Sequence, residues 1–194
     1  MTISDQRTDR QLWADAAQRD GDAFAALFRR HARAVYNHCF RLTGSWSVAE
    51  DAVSVTFLTA WRRRDEVRLA RESALPWLLA VATNVSQHQQ RSARRRLALV
   101  GRLSADPPTI DHADDVAARL DDERRMREVL EVVRGLPNAE REALALCLWS
   151  GVSYADAAEA LGLAESSVRA RVSRARARLA AHFPQPDLSL GGDR

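Results

Sequence analysis

The spacing of apolar residues constrains the fold of this 194-residue chain more than any other feature. In the segment 22–42, Phe24, Leu27, Val35 and Leu42 recur at intervals that place them on one side of an α-helix. Glycine (8 residues) and proline (6 residues) are too scarce for a turn-rich β-sandwich. The sequence therefore predicts an all-α fold. The predicted helices span 9–18, 22–42, 48–64, 76–96, 116–134, 138–149, 153–161 and 166–183. The predicted N-caps of the second, third and sixth of these helices are Asp22, Ser47 and Asn138.

One segment, 100–115, interrupts the helical spacing. It contains two adjacent prolines, a glycine and four aspartates. The charge changes at the same place, because 1–97 carries a net +6, 98–122 a net −4, and 123–194 a net +1. These features predict two small helical domains joined by a flexible acidic linker. The predicted divisions are a domain at 1–97, the linker at 98–122, a domain at 123–183, and a disordered tail at 184–194.

The second domain ends in a pattern typical of a helix-turn-helix. Ser153 is expected to cap a short, alanine-rich helix, Gly162 to form a tight turn, and Ser166 to begin the second helix. One face of that second helix is apolar and is predicted to pack inward. This face consists of Val168, Val172, Ala175 and Leu179.

The opposite face of the second helix is small and basic. Residues 165–183 contain five arginines and one acid. Small residues let a helix enter the major groove, and arginines bind guanine edges or phosphates. The pattern therefore favours DNA binding over a solvated surface helix. The face comprises Ser166, Ala170, Ser173, Arg174 and Ala177, with Arg169, Arg171, Arg176 and Arg178 on its flanks.

Aromatic residues and arginines also occur together in the first domain. Trp61 and Trp77 precede an arginine cluster at 91–96, a combination that suits single-stranded nucleic acid. Both tryptophans fall on apolar stripes, so we expect them to belong to the core of a helical bundle.

Several other classes of protein are excluded or disfavoured. Cys39 and Cys147 lie in apolar helical runs and are predicted to be buried, and two cysteines form no disulfide framework. No run of 18 apolar residues is present, and the polar start MTISDQRTDR lacks a signal peptide, so a cytoplasmic location is expected.

No catalytic or metal site is predicted. His31 and His38 are seven residues apart, or two helical turns, with no acid or second cysteine nearby in sequence. Glu50 and Asp51 are adjacent, so they point to different parts of a helix surface and form a poor catalytic pair. We expect neither enzyme activity, nor a cofactor, nor a small-molecule substrate.

The order of these segments resembles the extracytoplasmic-function group of sigma-70-type sigma factors, the promoter-specificity subunits of bacterial RNA polymerase. The resemblance covers most of 22–180. The matching stretches are DAFAALFRRHARAVYNHCFRLTG, AEDAVSVTFLTAW, LPWLLAVATNVSQHQQRSARRR and LEVVRGLPNAEREALALCLWSGVSYADAAEALGLAESSVRARVSRARARL. It implies a factor that binds core polymerase through the clamp helices of the largest subunit and the flap, recognises −35 and −10 promoter elements, and initiates transcription.

Region two of the family corresponds to 22–97, and its AED-containing helix docks on the clamp helices. The resemblance therefore assigns polymerase binding to Glu50, Asp51, Ser54 and Val55. Ser54 and Val55 occupy positions where the family usually has a glutamine followed by an acid.

The connector at 65–75 corresponds to the family's loop that captures a flipped base of the −10 element. Here Val67-Arg68-Leu69-Ala70 stands where the family often has an aromatic residue and Arg-Gly, so no base preference is carried over. The resemblance assigns −10 DNA binding to Arg68, Asn84, Arg91, Arg94, Arg95 and Arg96.

Region four of the family corresponds to 123–183 and recognises the −35 element. The run VRARVSR matches the family's VRSR-x-x-R, with Ala170 replacing a serine. Ser166 and Ser167 replace the Gly-Thr that precedes that run and are expected to cap the helix and donate to a phosphate. The resemblance assigns −35 DNA binding to Ser166, Ser167, Arg169, Ala170, Arg171, Ser173 and Arg174.

Two further expectations accompany the resemblance. Family members are commonly held inactive by an anti-sigma factor, often anchored in the membrane, which would keep the chain at the inner membrane face. The acidic linker would occupy the polymerase's RNA-exit path. The alternative class is an autonomous helix-turn-helix regulator, which would dimerise on palindromic DNA without polymerase.

Overall fold

The structure is a computed structural model that describes residues 6–69, 71–100 and 113–182, with side chains described at 6–69, 71–89 and 120–181. It confirms an all-α fold, because the described residues contain helices and no strand. The helices are α1 Asp9–Ala17, α2 Gly21–Thr43, α3 Trp46–Arg63, α4 Leu75–Val100, α5 Ala113–Arg134, α6 Asn138–Leu144, α7 Tyr154–Leu161 and α8 Glu165–His182.

Local capping explains where α1 and α2 begin. The Thr8 hydroxyl accepts a hydrogen bond from the Gln11 amide at 3.3 Å, and the Gln11 side chain accepts one from the Thr8 amide at 2.9 Å. The cap of α2 is Asp20, so the prediction of Asp22 is wrong. Asp22 lies inside the first turn, where its own amide donates to the Asp20 carboxylate at 2.9 Å.

The start of α3 depends on a distant residue. The prediction of Ser47 as the N-cap is wrong, because α3 already begins at Trp46 and Ser45 occupies the N-cap without a side-chain hydrogen bond. The partly buried amide of Trp46 instead donates to the Glu123 carboxylate of α5 at 2.8 Å. Glu123 thus takes the place of a local capping side chain.

Aromatic pairs fill the bundle formed by α1–α4. Trp13 of α1 meets Trp77 of α4 edge to face, with ring centroids 5.2 Å apart. Phe24 of α2 meets Trp61 of α3 at 5.1 Å. Both predicted core tryptophans are therefore packed in the bundle. Cys39 is buried as predicted, whereas Cys147 is only partly buried, so the prediction for Cys147 is wrong.

The C-terminal helices are α5–α8, and the last two, α7 and α8, form the predicted helix-turn-helix. Ser153 caps α7 by accepting from the Asp156 amide at 3.0 Å, and Gly162 ends it with a φ of 65°. A π-helical turn, Ala145–Trp149, continues α6. Pro137 occupies the N-cap of α6, so Asn138, predicted as that cap, is instead its first residue.

The helices extend into both ends of the predicted linker 98–122. The helix α4 continues to Val100, and α5 begins at Ala113, three residues before the predicted start. Residues 101–112 and the tail 184–194 lie outside the described residues.

The C-terminal helices pack against the N-terminal bundle in this structure. The helix α7 lies against α4, and the π-helical turn lies against α2. Arg41 of α2 donates to the Trp149 carbonyl, and the exposed Arg71 lies 3.2 Å from both Asp156 and Glu159 of α7. In the described part of the chain, no helix combines the length and apolar character that crossing a membrane requires.

Candidate nucleic-acid interface

The basic face of α8 rests on a buried apolar stripe. Val168, Val172 and Ala175 are at most 1% exposed, and Leu179 packs beside them, as the sequence predicts. The predicted outer face is exposed, except that Arg171 is half-buried. The helix begins at Glu165, so Ser166 and Ser167 lie within its first turn and do not cap it.

Several arginines of α8 are held by acids or an aromatic ring. The Arg169 guanidinium lies 2.5 Å from the Glu165 carboxylate and 4.8 Å from the centre of the Tyr154 ring. Arg174 donates through Nε to the Glu140 carboxylate at 3.2 Å. These contacts restrict long side chains while leaving them at the surface.

Arg171 faces a second acid of α6. Burial raises the pKa of Glu142, and the positive charge of Arg171 opposes that rise. Glu140 and Glu142 therefore place negative charge beneath the basic face.

The connector between α3 and α4 is braced by α1. The Trp13 indole donates to the Val67 carbonyl at 3.0 Å. The Arg10 guanidinium donates to the Leu69 carbonyl at 3.3 Å and pairs with Glu72 at 3.2 Å. The helical pattern of 9–18 indicates no functional role for α1, because these contacts join residues more than 50 positions apart.

Asp9 fixes the end of the connector. Its carboxylate is 5% exposed and accepts hydrogen bonds from the Ala74 amide at 2.8 Å and the Ser73 hydroxyl at 3.2 Å. It also contacts Nε2 of His31 at 2.6 Å and a guanidinium nitrogen of Arg30 at 2.5 Å. Burial alone raises the pKa of Asp9, but the hydrogen bonds outweigh burial and hold that pKa well below its usual range.

A cavity of about 570 Å³ opens between α1 and the connector. Its lining includes Trp13, which is only 4% exposed, and three arginines, Arg10, Arg64 and Arg68. Arginines around an open cavity suit the phosphates of a nucleic acid strand. Arg68, one of the predicted −10 residues, is exposed at this cavity.

The other predicted −10 residues lie on α4. Asn84 is exposed and does not line this cavity. Arg91, Arg94, Arg95 and Arg96 lie on the α4 backbone, but their side chains are outside the described residues.

The predicted polymerase-binding residues share one exposed face of α3. Glu50 and Asp51 are exposed, and the Ser54 hydroxyl donates back to the Glu50 carbonyl at 3.1 Å. Val55 and Leu58, at 42% and 46% exposure, extend the same face with apolar surface. Acids beside exposed aliphatic side chains form a surface suited to a protein partner.

His31 and His38 bind different partners. His31 binds Asp9, an acid that is distant in sequence. The His38 ring is buried between Thr83 and Ser150. The Thr83 hydroxyl donates its single hydrogen to the Leu79 carbonyl, so it must accept a hydrogen bond from Nε2–H of His38. Nδ1 of His38 then carries no hydrogen and accepts from the Ser150 hydroxyl. Burial, aided by the charge of Arg41, lowers the pKa of His38 to about 3.

Two family models match the chain. Sigma-70 region 2 matches residues 27–96, and Sigma-70, region 4 matches residues 126–179. The first match contains the α3 surface and the connector, and the second contains α7 and α8 up to residue 179.

Curated relatives match over most of their length. The RNA polymerase sigma factor NccH of Alcaligenes xylosoxydans xylosoxydans is 32% identical over 189 residues, covering 92% of this chain and 96% of that protein. The ECF RNA polymerase sigma factor SigL of Mycobacterium tuberculosis is 31% identical over 157 residues, covering 81% and 86%.

Two solved structures have a similar fold. One is CnrH in complex with the cytosolic domain of CnrY, with a TM-score of 0.66, 28% identity, and coverage of 90% of this chain and 96% of that chain. The other is the sigma factor RpoE in complex with the anti-sigma factor NepR from Bartonella quintana, with a TM-score of 0.55, 27% identity, and coverage of 79% and 92%.

Proposed function

The chain belongs to the extracytoplasmic-function sigma factors of the sigma-70 family, and from that membership we propose that it binds core RNA polymerase, directs it to specific promoters and initiates transcription there. Sigma factors are initiation factors and not catalysts. The observation that carries the proposal is the exposed arginine-rich face of α8, anchored by a buried stripe within the segment that matches region 4.

The α8 face recognises the −35 element as duplex DNA. Ser173 and Ala170 allow close approach to the major groove, while Arg169, Arg171 and Arg174 contact base edges or phosphates. Ser166 and Ser167 lie in the first helical turn, where their amides and hydroxyls suit a phosphate.

The connector, with the adjoining part of α4, binds the −10 element after it opens. An unpaired base enters the cavity beside Trp13, and Arg68 contacts the neighbouring phosphate. Asn84 contacts the −10 element next to the captured base, and the arginines at 91, 94, 95 and 96 follow the DNA backbone along α4.

The α3 face binds the clamp helices of the polymerase's largest subunit, and the C-terminal helices bind the flap. Glu50 and Asp51 supply charge, and Val55 supplies apolar contact area. An anti-sigma factor is the second protein partner. The similar protein RpoE is described in complex with one, which supports this part of the proposal. The chain acts in the cytoplasm, where its polymerase lies.

The test is transcription of fragmented host genomic DNA by the host's core polymerase, with and without the chain, followed by mapping of transcript 5′ ends. We expect new start sites that share two upstream elements at a fixed spacing. No new start sites from folded, inhibitor-free protein would contradict the proposal and favour an autonomous regulator that binds palindromic DNA without polymerase.

Two variants separate the proposed surfaces. Asp51→Arg should weaken capture of core polymerase by at least about tenfold, because it places a cation on an exposed acidic docking face. Asp22→Arg reverses the charge of an exposed acid at the start of α2, outside both proposed polymerase contacts, and should leave capture unchanged. Equal losses in both variants would show that net charge, not the α3 face, determines polymerase binding.

A further inference from the structure

Glu140 is a buried acid beneath the exposed face of α8. The residue is 5% exposed, although glutamate is rarely buried unless it is paired. Its Oε1 atom accepts a hydrogen bond from Nε of Arg174 at 3.2 Å, and its Oε2 atom lies 3.1 Å from Nε of Arg178. One carboxylate of α6 therefore contacts two arginines that are one turn apart on α8.

This contact holds Arg174 by the inner part of its guanidinium. The hydrogen bond uses Nε, and the side chain remains 57% exposed. The two terminal amino groups at the outer end are the donors that bind O6 and N7 of guanine together. We infer that Glu140 is a positioning residue, which orients Arg174 so that it recognises one base pair of the −35 element; the inference rests on the proposed function.

Positioning makes recognition more selective. An unrestrained arginine reaches several bases and phosphates and loses more conformational freedom when it binds any one of them. The negative charge of Glu140 also opposes general attraction of α8 to phosphates. Glu140 is therefore expected to increase discrimination at one base pair while reducing affinity for arbitrary sequences.

Those opposite effects distinguish positioning from a merely structural role. Loss of a structural contact would lower affinity for every sequence. Loss of charge alone would raise affinity for every sequence. Only loss of positioning reduces discrimination at the particular base pair that Arg174 contacts.

The experiment uses holoenzyme assembled from the full chain and core polymerase, with a promoter library randomised at the −35 element. Comparison of the unaltered chain with R174A locates the base pair that Arg174 recognises. E140Q should lose about two- to fivefold in discrimination at that same pair, the size expected of a partly exposed ion pair. Its affinity for other sequences should be equal or higher. The control E128Q, an exposed acid on α5, should leave the selected sequences unchanged.

A second variant separates geometry from charge. E140D keeps the negative charge but shortens the side chain by one methylene. It should therefore reduce discrimination at the same base pair without raising affinity for other sequences. In the R174A background, E140Q should cause no further loss of discrimination, because the two residues act through one contact. Circular dichroism and polymerase capture identify any variant that fails to fold.

Three results would overturn the inference. The first is an unchanged −35 sequence preference in E140Q and E140D, and the second is a loss of preference spread evenly over all −35 positions. The third is that R174A binds every sequence equally less well, which would mean that Arg174 contacts a phosphate and not a base. Each of these three results counts only when the unaltered chain forms active holoenzyme in the same assay. Absence of any transcription from the library with the unaltered chain would instead contradict the proposed function.

Discussion

Asp9→Asn should destabilise the chain far more than the same substitution elsewhere on α1. Asp9 is 5% exposed at its side chain, and its carboxylate joins α1 to α2 and to the start of α4. The asparagine side chain keeps one acceptor oxygen, but its NH₂ group faces donors that the second carboxylate oxygen previously accepted from. Removing one partner of a buried ion pair costs about 3–5 kcal/mol. We expect about 3 kcal/mol, the lower end of that range, because the Arg30 side chain is 33% exposed and remains hydrated.

Asp15→Asn is the matched control. Asp15 pairs with Arg7 at 2.6 Å, but both side chains are about two-fifths exposed, at 43% and 39%. An exposed pair contributes about 0–1 kcal/mol. For a chain of this size, about 2–4 °C accompanies each kcal/mol, so thermal unfolding should fall by about 6–12 °C in D9N and by less than about 4 °C in D15N. Similar shifts in the two variants would refute the reasoning from burial.

The same residue predicts a dependence on pH. Because the pKa of Asp9 is lowered on folding, its contribution is fully present above the usual carboxyl pKa of about 3.9 and is lost as the pH falls through the lowered value. The difference in unfolding free energy between the unaltered chain and D9N should therefore shrink as the pH falls below about 4. Urea titrations at several pH values measure this difference, and a difference that stays constant to the lowest accessible pH would contradict the assigned ionised state.

Three further outcomes are expected. A Cβ at Gly44 would lie 2.9 Å from the Leu130 side chain, whereas Gly162 has open space, and both have a positive φ. Gly162→Ala should therefore lower the free energy of unfolding, measured by urea titration, by about 1 kcal/mol. Gly44→Ala should lower it by about 1–3 kcal/mol more than that, and equal losses in the two variants would exclude the clash with Leu130. His38 should remain neutral and protonated at Nε2 from pH 8 to 5 in nitrogen NMR, and a titration midpoint near 6.5 would contradict its burial. Leu58→Ser should leave the melting temperature almost unchanged while weakening polymerase capture about fivefold, and a large fall in melting temperature would make Leu58 a core residue.

The helical period predicts which side of a helix each residue occupies. This is enough to predict which residues are buried in the scaffold and which are exposed. Val168 and Val172 are buried and Arg174 is exposed because each position follows from rotation about one axis. The turn at Gly162 was equally predictable, since glycine adopts the left-handed backbone that ends α7 without steric strain. These features depend only on neighbours within a few residues.

The acids that organise the candidate site could not be predicted in this way. Asp9 binds a residue 22 positions away, Glu140 one 34 positions away, and Glu123 one 77 positions away. In sequence, each is one acid among 26, and charge spacing along a single helix does not distinguish a paired acid from a solvated one. The missed N-cap of α3 has the same cause, because its partner belongs to α5.

The polar contacts of Arg71 and His38 that join the N-terminal and C-terminal helices involve no buried charge. Arg71 is 54% exposed where it meets Asp156 and Glu159, and pairs of that exposure contribute little to stability. His38 donates to Thr83 within its own bundle, while its contact with Ser150 crosses to the C-terminal helices and can be replaced by water. On the proposed function, separation of the two sets of helices therefore leaves no buried charge unpaired at these contacts. The strongly buried acids, Asp9 and Glu140, each lie within one set, so either set can move while its own DNA-binding elements remain positioned.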